Sequence, residues 1–127
     1  MEKVKVFLKQ DLDSLVAHSG RHRRDLAADK VDHLTTLDKT IASKEITFAE
    51  NVTWCVGKAI QECSDKSRKI LTDAYLKRQL DKITMVEMGY GSTRYYELKQ
   101  IALTEFMENF AKYQKQIGLE PAFKLVK

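Results

Sequence analysis

The chain has little of what builds membrane spans. None of its apolar runs approaches the roughly 18 to 20 residues that cross a bilayer. The N-terminus mixes charged with apolar residues, unlike a secretory signal. We therefore expect an intracellular protein with no membrane partner.

Cysteine and histidine are also scarce, with two and three residues respectively. Cys55 and Cys63 lie eight residues apart on one predicted helix, about 12 Å along its axis, whereas disulfide-bonded Cα atoms lie about 4.4 to 6.8 Å apart. His18, His22 and His33 lack the paired spacing of zinc ligands. The sequence predicts reduced core cysteines, surface or loop histidines, and no metal.

Enzyme motifs are missing as well. The chain has no glycine-rich phosphate loop, nucleophile elbow, zinc-protease motif or paired carboxylates at a working spacing. We expect no enzymatic activity and no cofactor. The formal net charge of +4 and a pI near 9.0 favour a polyanionic partner, although 18 acidic residues keep the excess small.

What the chain does contain is helical periodicity. A first helix is predicted from about Lys3 to His18, and Ser19 and Gly20 end it. Its apolar stripe is formed by Val4, Leu8, Leu12 and Leu15. This stripe should pack either on the rest of the domain or on a second copy of the chain.

The next segment is less regular. Arg21, His22, Arg23 and Arg24 form a basic run that is either a solvated surface or an extra phosphate contact. Residues 25–46 have irregular apolar spacing, which fits a short helix or a partly ordered linker. We divide the chain here, into an N-terminal helix with an irregular connector (residues 1–46) and a helical core (residues 47–127).

Regular structure is predicted to resume at Thr47. The sequence TFAE at residues 47–50 matches a capping box, so a helix should begin there. Trp54 lies beside its apolar face, either at the edge of the core or free to stack on a base or a partner. A fresh cap at SDKS, residues 64–67, then starts a helix from about Asp65 to Leu76.

Residues 80–110 are predicted to form two helices joined by a short glycine turn. Gly89 and Gly91 should supply positive backbone angles, and Ser92 or Gly91 should cap the helix that follows. One helix should end near Met88, and the next should continue for about 26 residues, until Gly118. The whole pattern predicts an all-α protein, a small helical bundle.

The long second helix has two sides at its start. Tyr95, Leu98, Ala102 and Phe106 recur at spacings of three and four and should face the core. The residues left outside are rich in groups that bond phosphates and base edges: Ser92, Thr93, Arg94, Tyr96, Glu97, Lys99 and Gln100. This arrangement fits a helix-turn-helix whose second helix enters the major groove, or else an αα-hairpin that only packs.

The C-terminal half of the long helix needs a partner too. Its apolar residues Phe106, Phe110, Tyr113 and Ile117 should bury against the N-terminal helix or against another protomer. Pro121 closes the helical region. An apolar tail of Phe123, Leu125 and Val126 could then dock on the body.

The run GYGSTRYYELKQIALTEF, residues 89–106, resembles the recognition end of the promoter-binding helix-turn-helix of bacterial sigma factors. In that motif a glycine-like residue is followed six, nine and thirteen positions later by apolar, apolar and small residues, here Tyr95, Leu98 and Ala102. From KVKVFLKQDL at residues 3–12 to ILTDAYL at residues 70–76, the chain is more specifically similar to the ArpU family of phage transcriptional regulators.

The resemblance implies a sigma-like helix-turn-helix within residues 80–110. It also implies a sequence-specific DNA-binding regulator of phage or prophage late genes, acting on double-stranded DNA in the cytoplasm of a bacterial host. One position departs from the motif, because sigma-like domains have an apolar residue five before the glycine and this chain has Thr84. We expect the neighbouring Ile83 to take that place through a small rotation of the helix.

The resemblance also makes the helix containing ILTDAYL a platform beneath the two-helix unit. Cations near the ends of this helix are predicted to contact phosphates: Lys66, Arg68, Lys69, Lys77 and Arg78. Arg21, Arg23 and Arg24 are further candidates. A homodimer would accompany palindromic DNA sites.

The competing hypothesis is a protein-interaction module that contacts host RNA polymerase without reading DNA sequence. Such a module should show an apolar patch at residues 92–100. In this chain only Tyr96 is apolar in bulk there.

Overall fold

The computed structural model describes residues 2–19, 26, 44–119 and 123. These residues contain helices and no strand, which confirms the predicted all-α class. In chain order the elements are α1 (Glu2–Val6), π1 (Phe7–Asp11), α2 (Leu12–Ser19), α3 (Lys44–Gln61), α4 (Asp65–Leu71), π2 (Thr72–Leu76), α5 (Asp81–Met88) and α6 (Ser92–Ile117).

The first three elements follow one another without a break, as the predicted N-terminal helix requires. Their buried side chains are Val4, Phe7, Leu8, Leu12 and Val16. The stripe packs on the same chain, because the ring of Phe7 lies 5.1 Å from that of Phe110 in α6. Of the two predicted partners for this helix, its own domain is the observed one.

Helix α3 begins at Lys44, so the predicted start at Thr47 is wrong. A capping residue needs a non-helical backbone, and Thr47 lies inside the helix. Lys44 and Glu45 have high helix propensity, which carries the helix upstream of the TFAE sequence. The predicted division after residue 46 therefore falls within a helix.

Helix α6 is the element around which the core is built. Phe106 and Phe110 are buried and their rings stack at 5.3 Å, and α6 contacts both α3 and α4. Tyr113 donates a hydrogen bond of 2.6 Å from its hydroxyl to Glu62 Oε1, and Trp54 packs edge-on against the Tyr113 ring at 5.6 Å. Trp54 thus lies at the edge of the core, one of its two predicted places.

The end of α6 is held by a glycine and a buried amide. Gly118 adopts a left-handed conformation at φ 64°, and Leu119 N–H closes back on Gln114 O at 3.0 Å. The Gln114 side chain bonds both the carbonyl and the amide of Phe123, whose ring lies 5.1 Å from Phe7. The predicted docking of Phe123 is observed, while Leu125 and Val126 lie outside the described residues.

Helix α4, the predicted platform, is fixed to α6 by one carboxylate. Glu105 accepts hydrogen bonds from the Ser64 amide at 3.0 Å, from the Ser64 hydroxyl at 3.1 Å and from the buried Ser67 hydroxyl. Burial by itself raises the pKa of Glu105, but these hydrogen bonds outweigh it and leave the pKa below its usual value. The platform therefore has a fixed position relative to α6.

The two cysteines are buried and free, as predicted. Burial raises the pKa of both Cys55 and Cys63 to about 12. A thiol with so high a pKa is protonated and unreactive near neutral pH.

Candidate nucleic-acid interface

The turn between α5 and α6 depends on one of its two glycines. Gly89 lies at φ 75° and ψ 26°, the left-handed conformation that costs an L side chain strain. Gly89 N–H bonds Val86 O at 3.2 Å and Tyr90 N–H bonds Met85 O at 3.1 Å, the pairing of a Schellman motif. Gly91 lies at φ −76°, so the predicted positive angle there is wrong.

Gly91 instead caps the following helix. Its backbone is extended, with ψ 171°, and its carbonyl accepts the first helical hydrogen bond, from Tyr95 N–H at 3.0 Å. Helix α6 then runs from Ser92 to Ile117, which confirms both its predicted start and its length of 26 residues.

The apolar residues of α6 that were predicted to face the core do so. Tyr95, Ala102 and Phe106 are fully buried and Leu98 nearly so. Six of the seven residues predicted for the outer side are exposed: Ser92, Thr93, Arg94, Tyr96, Glu97 and Gln100. We refer to these six residues as the α6 outer edge.

Lys99 is the exception, and its predicted exposure is wrong. It is only 8% exposed, and its ammonium bonds both carboxylate oxygens of Asp81, at 3.1 and 3.0 Å. The same ammonium lies 5.5 Å from the ring of Tyr75 and 6.0 Å from that of Tyr96. Lys99 is therefore part of the packing between α5 and α6, and is withdrawn from the predicted DNA contacts.

Asp81 joins this cluster from the first turn of α5. Its Oδ1 also accepts a 2.7 Å hydrogen bond from the Tyr95 hydroxyl. Burial alone raises the pKa of Asp81, but the bonds from Tyr95 and Lys99 outweigh it and lower the pKa below its usual value. Burial, followed by this carboxylate, raises the pKa of Tyr95. The cluster fixes α5 against the second turn of α6.

A second polar cluster lies beneath α5. Thr84 is fully buried, donates to Asp73 Oδ2 at 3.4 Å and accepts from Gln79 Nε2 at 3.0 Å, whereas Ile83 is 47% exposed. The predicted rotation that would bury Ile83 is therefore wrong. Thr84 keeps the inward position because Asp73, which is 3% exposed, satisfies its hydroxyl.

Within the α6 outer edge, Arg94 and Tyr96 make different kinds of contact. Arg94 forms a surface ion pair with Glu97, with the Arg94 nitrogen 3.2 Å from the carboxylate and both side chains more than half exposed. Such a pair opens at little cost. The ring of Tyr96 packs edge-on against that of Tyr95 at 5.2 Å, so its exposed part, 47% of the residue, has a fixed direction.

The predicted phosphate contacts divide into groups. Arg68 pairs with Asp65 and bonds the carbonyl of Cys63, and Arg78 pairs with Asp13 of the N-terminal helix. These partners lie in α4, the loop before it and the N-terminal helix, and none of them lies in the α5–α6 turn.

The predicted lysines separate in the same way. Lys69 bonds Asp73 at 2.9 Å, and Lys77 lies 3.7 Å from the same carboxylate. Lys66 is exposed, and its ammonium lies 5.4 Å from the ring of Tyr90, between the two turn glycines. Lys66 thus lies beside the turn, and Lys69 also reaches the last turn of α5 through Glu87 at 3.3 Å. Arg21, Arg23 and Arg24 lie outside the described residues.

Asp73 and Asp81 are positioning residues that sequence reasoning missed. The spacing alone could have shown that Lys99 points inward, because it lies four residues after Tyr95 and three before Ala102 on the same helix. The spacing could not have shown its partner, because the carboxylate of Asp81 lies on another helix and meets Lys99 only in the folded chain.

Over the part of the chain that the structure describes, no helix combines the length and apolarity needed to cross a membrane. The same residues hold no group of three histidine, cysteine or acidic side chains placed for a metal ion. No protein-family model, curated protein or solved structure matches the chain.

Proposed function

We propose that this chain is a sequence-specific DNA-binding transcriptional regulator of the ArpU-like phage or prophage type, with α5 and α6 acting as a sigma-like helix-turn-helix. The observation that carries the proposal is the α6 outer edge, a polar surface that directly follows a tight turn on a helix anchored in the core. In this arrangement the first two turns of α6 enter the major groove of double-stranded DNA.

The chemistry of the edge suits that role. Ser92 and Thr93 lie at the N-terminus of α6, where hydroxyls and unpaired backbone N–H groups attract a phosphate. Gln100 offers the amide that pairs with adenine, and Arg94 offers the planar fork that pairs with guanine or a phosphate. Glu97, released by Arg94, can accept from cytosine.

The polar clusters beneath α5 support DNA recognition because they hold the α6 outer edge in a fixed position before DNA binds. Asp81 holds Tyr95 and Lys99, and the Lys99 ammonium in turn lies near the ring of Tyr96. The angle between the two helices is thereby set before DNA arrives. A rigid reading surface loses little conformational entropy on binding.

The first experiment is selection of bound sequences from a random duplex library by the full chain, followed by gel shifts on the selected site. Arg94→Ala is expected to weaken specific binding by about 1 to 3 kcal/mol if Arg94 contacts a guanine edge. Folding should be unaffected, because Arg94 is exposed and its ion pair with Glu97 is on the surface.

Lys112→Ala is the matched control. Lys112 lies on the same helix, is also exposed and also pairs with a glutamate, Glu62 at 3.6 Å, but it lies near the opposite end. This variant should bind the site as the parent does. Equal affinity of all three proteins would remove Arg94 from the interface, and failure to select any sequence would contradict the proposal as a whole.

A further inference from the structure

Tyr96 is the one residue of the α6 outer edge that carries an apolar ring. The other five side chains of this edge end in hydroxyl, guanidinium, carboxylate or amide groups. Tyr96 is 47% exposed, although the residue before it, Tyr95, is fully buried. Ser92 and Gln100 lie about one helical turn before and after Tyr96, on the same side of α6. The ring therefore lies within a row of polar side chains.

Two neighbours hold this ring in place. The ring of Tyr95 meets that of Tyr96 nearly at a right angle, at 81°, with the centroids 5.2 Å apart. The Lys99 ammonium lies 6.0 Å from the Tyr96 ring and is itself bound by Asp81 at 3.0 Å. A ring held in this way loses little rotamer freedom when it meets a partner. Its contact surface is thus fixed before binding.

The chemistry of the major groove limits what such a ring can contact favourably. The faces of the bases are stacked on one another in a duplex, so a side chain reaches only their edges. These edges carry hydrogen-bond donors and acceptors and one apolar group, the C5 methyl of thymine. A ring over a polar edge removes water from groups that it does not hydrogen-bond, which costs free energy. A ring over the methyl group buries apolar surface, which is favourable.

We propose that Tyr96 selects thymine, through contact of its ring with the C5 methyl group. This inference rests on the proposed function, because it requires the start of α6 to lie in the major groove. It adds an apolar contact to residues that otherwise recognise bases through hydrogen bonds. The DNA site that it implies has a thymine facing the second turn of α6.

The test changes the DNA rather than the protein, so that folding of a variant cannot decide the result. Once a site has been selected with the full chain, each of its thymines is replaced in turn by deoxyuridine, which pairs in the same way but lacks the methyl group. At the thymine that Tyr96 contacts, gel shifts should show binding weakened about fourfold. This factor corresponds to the roughly 0.8 kcal/mol gained by burying one methylene-sized group.

Two variants of Tyr96 assign the effect to its ring. Tyr96→Ala removes the ring and should make binding insensitive to deoxyuridine at that position, so that the two changes are not additive. Tyr96→Phe keeps the ring without the hydroxyl and should keep the deoxyuridine effect.

Ile101→Ala is the matched control, because Ile101 is a 50% exposed apolar residue five positions further along the same helix. This variant should also keep the deoxyuridine effect. Thermal melting should show that all three variants fold.

Three results would overturn the selection of thymine by Tyr96. These are a selected site in which no thymine can be replaced by deoxyuridine with loss of affinity, a deoxyuridine effect that persists in Tyr96→Ala, and a Tyr96→Phe variant that is insensitive to deoxyuridine. In each case the selected site and its dependence on Arg94 would still support DNA recognition by α6. Failure to select any sequence would instead overturn both proposals.

Discussion

Asp81 and Lys99 are joined across the α5–α6 unit by an ion pair in which the two side chains are 27% and 11% exposed. Asp81 also receives the Tyr95 hydroxyl, so one carboxylate satisfies two groups of α6. Removing its charge leaves the Lys99 ammonium enclosed by aromatic rings without an anion. The cost of such a loss is that of an unpaired polar group rather than that of a surface ion pair.

Asp81→Asn is therefore expected to lower the free energy of unfolding by about 1 to 3 kcal/mol at neutral pH. Urea denaturation followed by circular dichroism measures it. The control is Glu108→Gln, which removes one acidic charge from an exposed position on α6 and should change stability by less than about 0.5 kcal/mol.

The same variant has a pH signature. Because the pKa of Asp81 is lowered in the folded state, its contribution is complete above the unfolded value of about 4 and is lost as pH falls through the folded value. The stability difference between parent and Asp81→Asn should therefore shrink below pH 4 or so. A constant difference from pH 7 to pH 3 would mean that the charge of Asp81 does not stabilise the fold.

The two turn glycines make a second prediction at the scale of single residues. Gly89→Ala should destabilise the protein by about 1 to 2 kcal/mol, because alanine must adopt the left-handed conformation at φ 75°. Gly91→Ser should be neutral or stabilising, because Gly91 is an extended N-cap with open space around its Cα. Thermal melts of the two variants compare them directly, and equal loss in both would mean that backbone strain is not what requires Gly89.

Among the elements, α6 and the helix made of α4 and π2 have the bounds that the sequence predicts, and α6 also has the predicted inner side. The signals for α6 are local. A glycine lies at each end of the helix, and its apolar residues, including Phe106 and Phe110, recur three and four positions apart. The start of α3 was missed because an internal TFAE sequence imitates a cap, and the residues before Thr47 are good helix formers.

Helix α5 shows why periodicity fails for some elements. Thr84 points inward because Asp73, eleven residues earlier, accepts a hydrogen bond from its hydroxyl. Lys99 points inward because Asp81, eighteen residues earlier, accepts hydrogen bonds from its ammonium. These partners are brought together by tertiary packing, and a pattern within one helix does not contain them. The exposure of Ile83 and Val86 follows from the same contacts, since Thr84 takes an inward position of α5 beside Met85 and Met88, which pack on the core.

For the whole molecule, one chain supplies the core. The C-terminal half of α6 is covered by the N-terminal helix through Phe7, Phe110 and Phe123, with ring centroids 5.1 Å apart in each pair that includes Phe7. Of the two predicted partners for this half of α6, the N-terminal helix is the observed one. A homodimer on palindromic DNA would therefore have to use another surface.

The electrostatics of the whole molecule bear on how DNA would be held. The net charge is only +4, and several of the predicted cations are engaged by carboxylates. If the chain binds DNA as proposed, it should neutralise few phosphates directly, and the salt dependence of non-specific binding should be correspondingly shallow. Lys66, an exposed residue whose ammonium lies 5.4 Å from the ring of Tyr90 in the turn, is the predicted phosphate contact that we test.

Lys66→Ala should accordingly weaken binding to random duplex and to a selected site by similar factors, and should reduce the slope of log K against log salt concentration by about 1. Lys58→Ala is the control of equal charge, because the Lys58 ammonium also lies over an aromatic ring, that of Trp54 at 5.6 Å, but on α3. Fluorescence anisotropy titrations across a salt series measure both slopes. A direct phosphate contact releases a counterion from the DNA, so losing that contact reduces the slope, whereas removing a distant cation should not. If both variants reduce the slope equally, Lys66 acts through net charge alone.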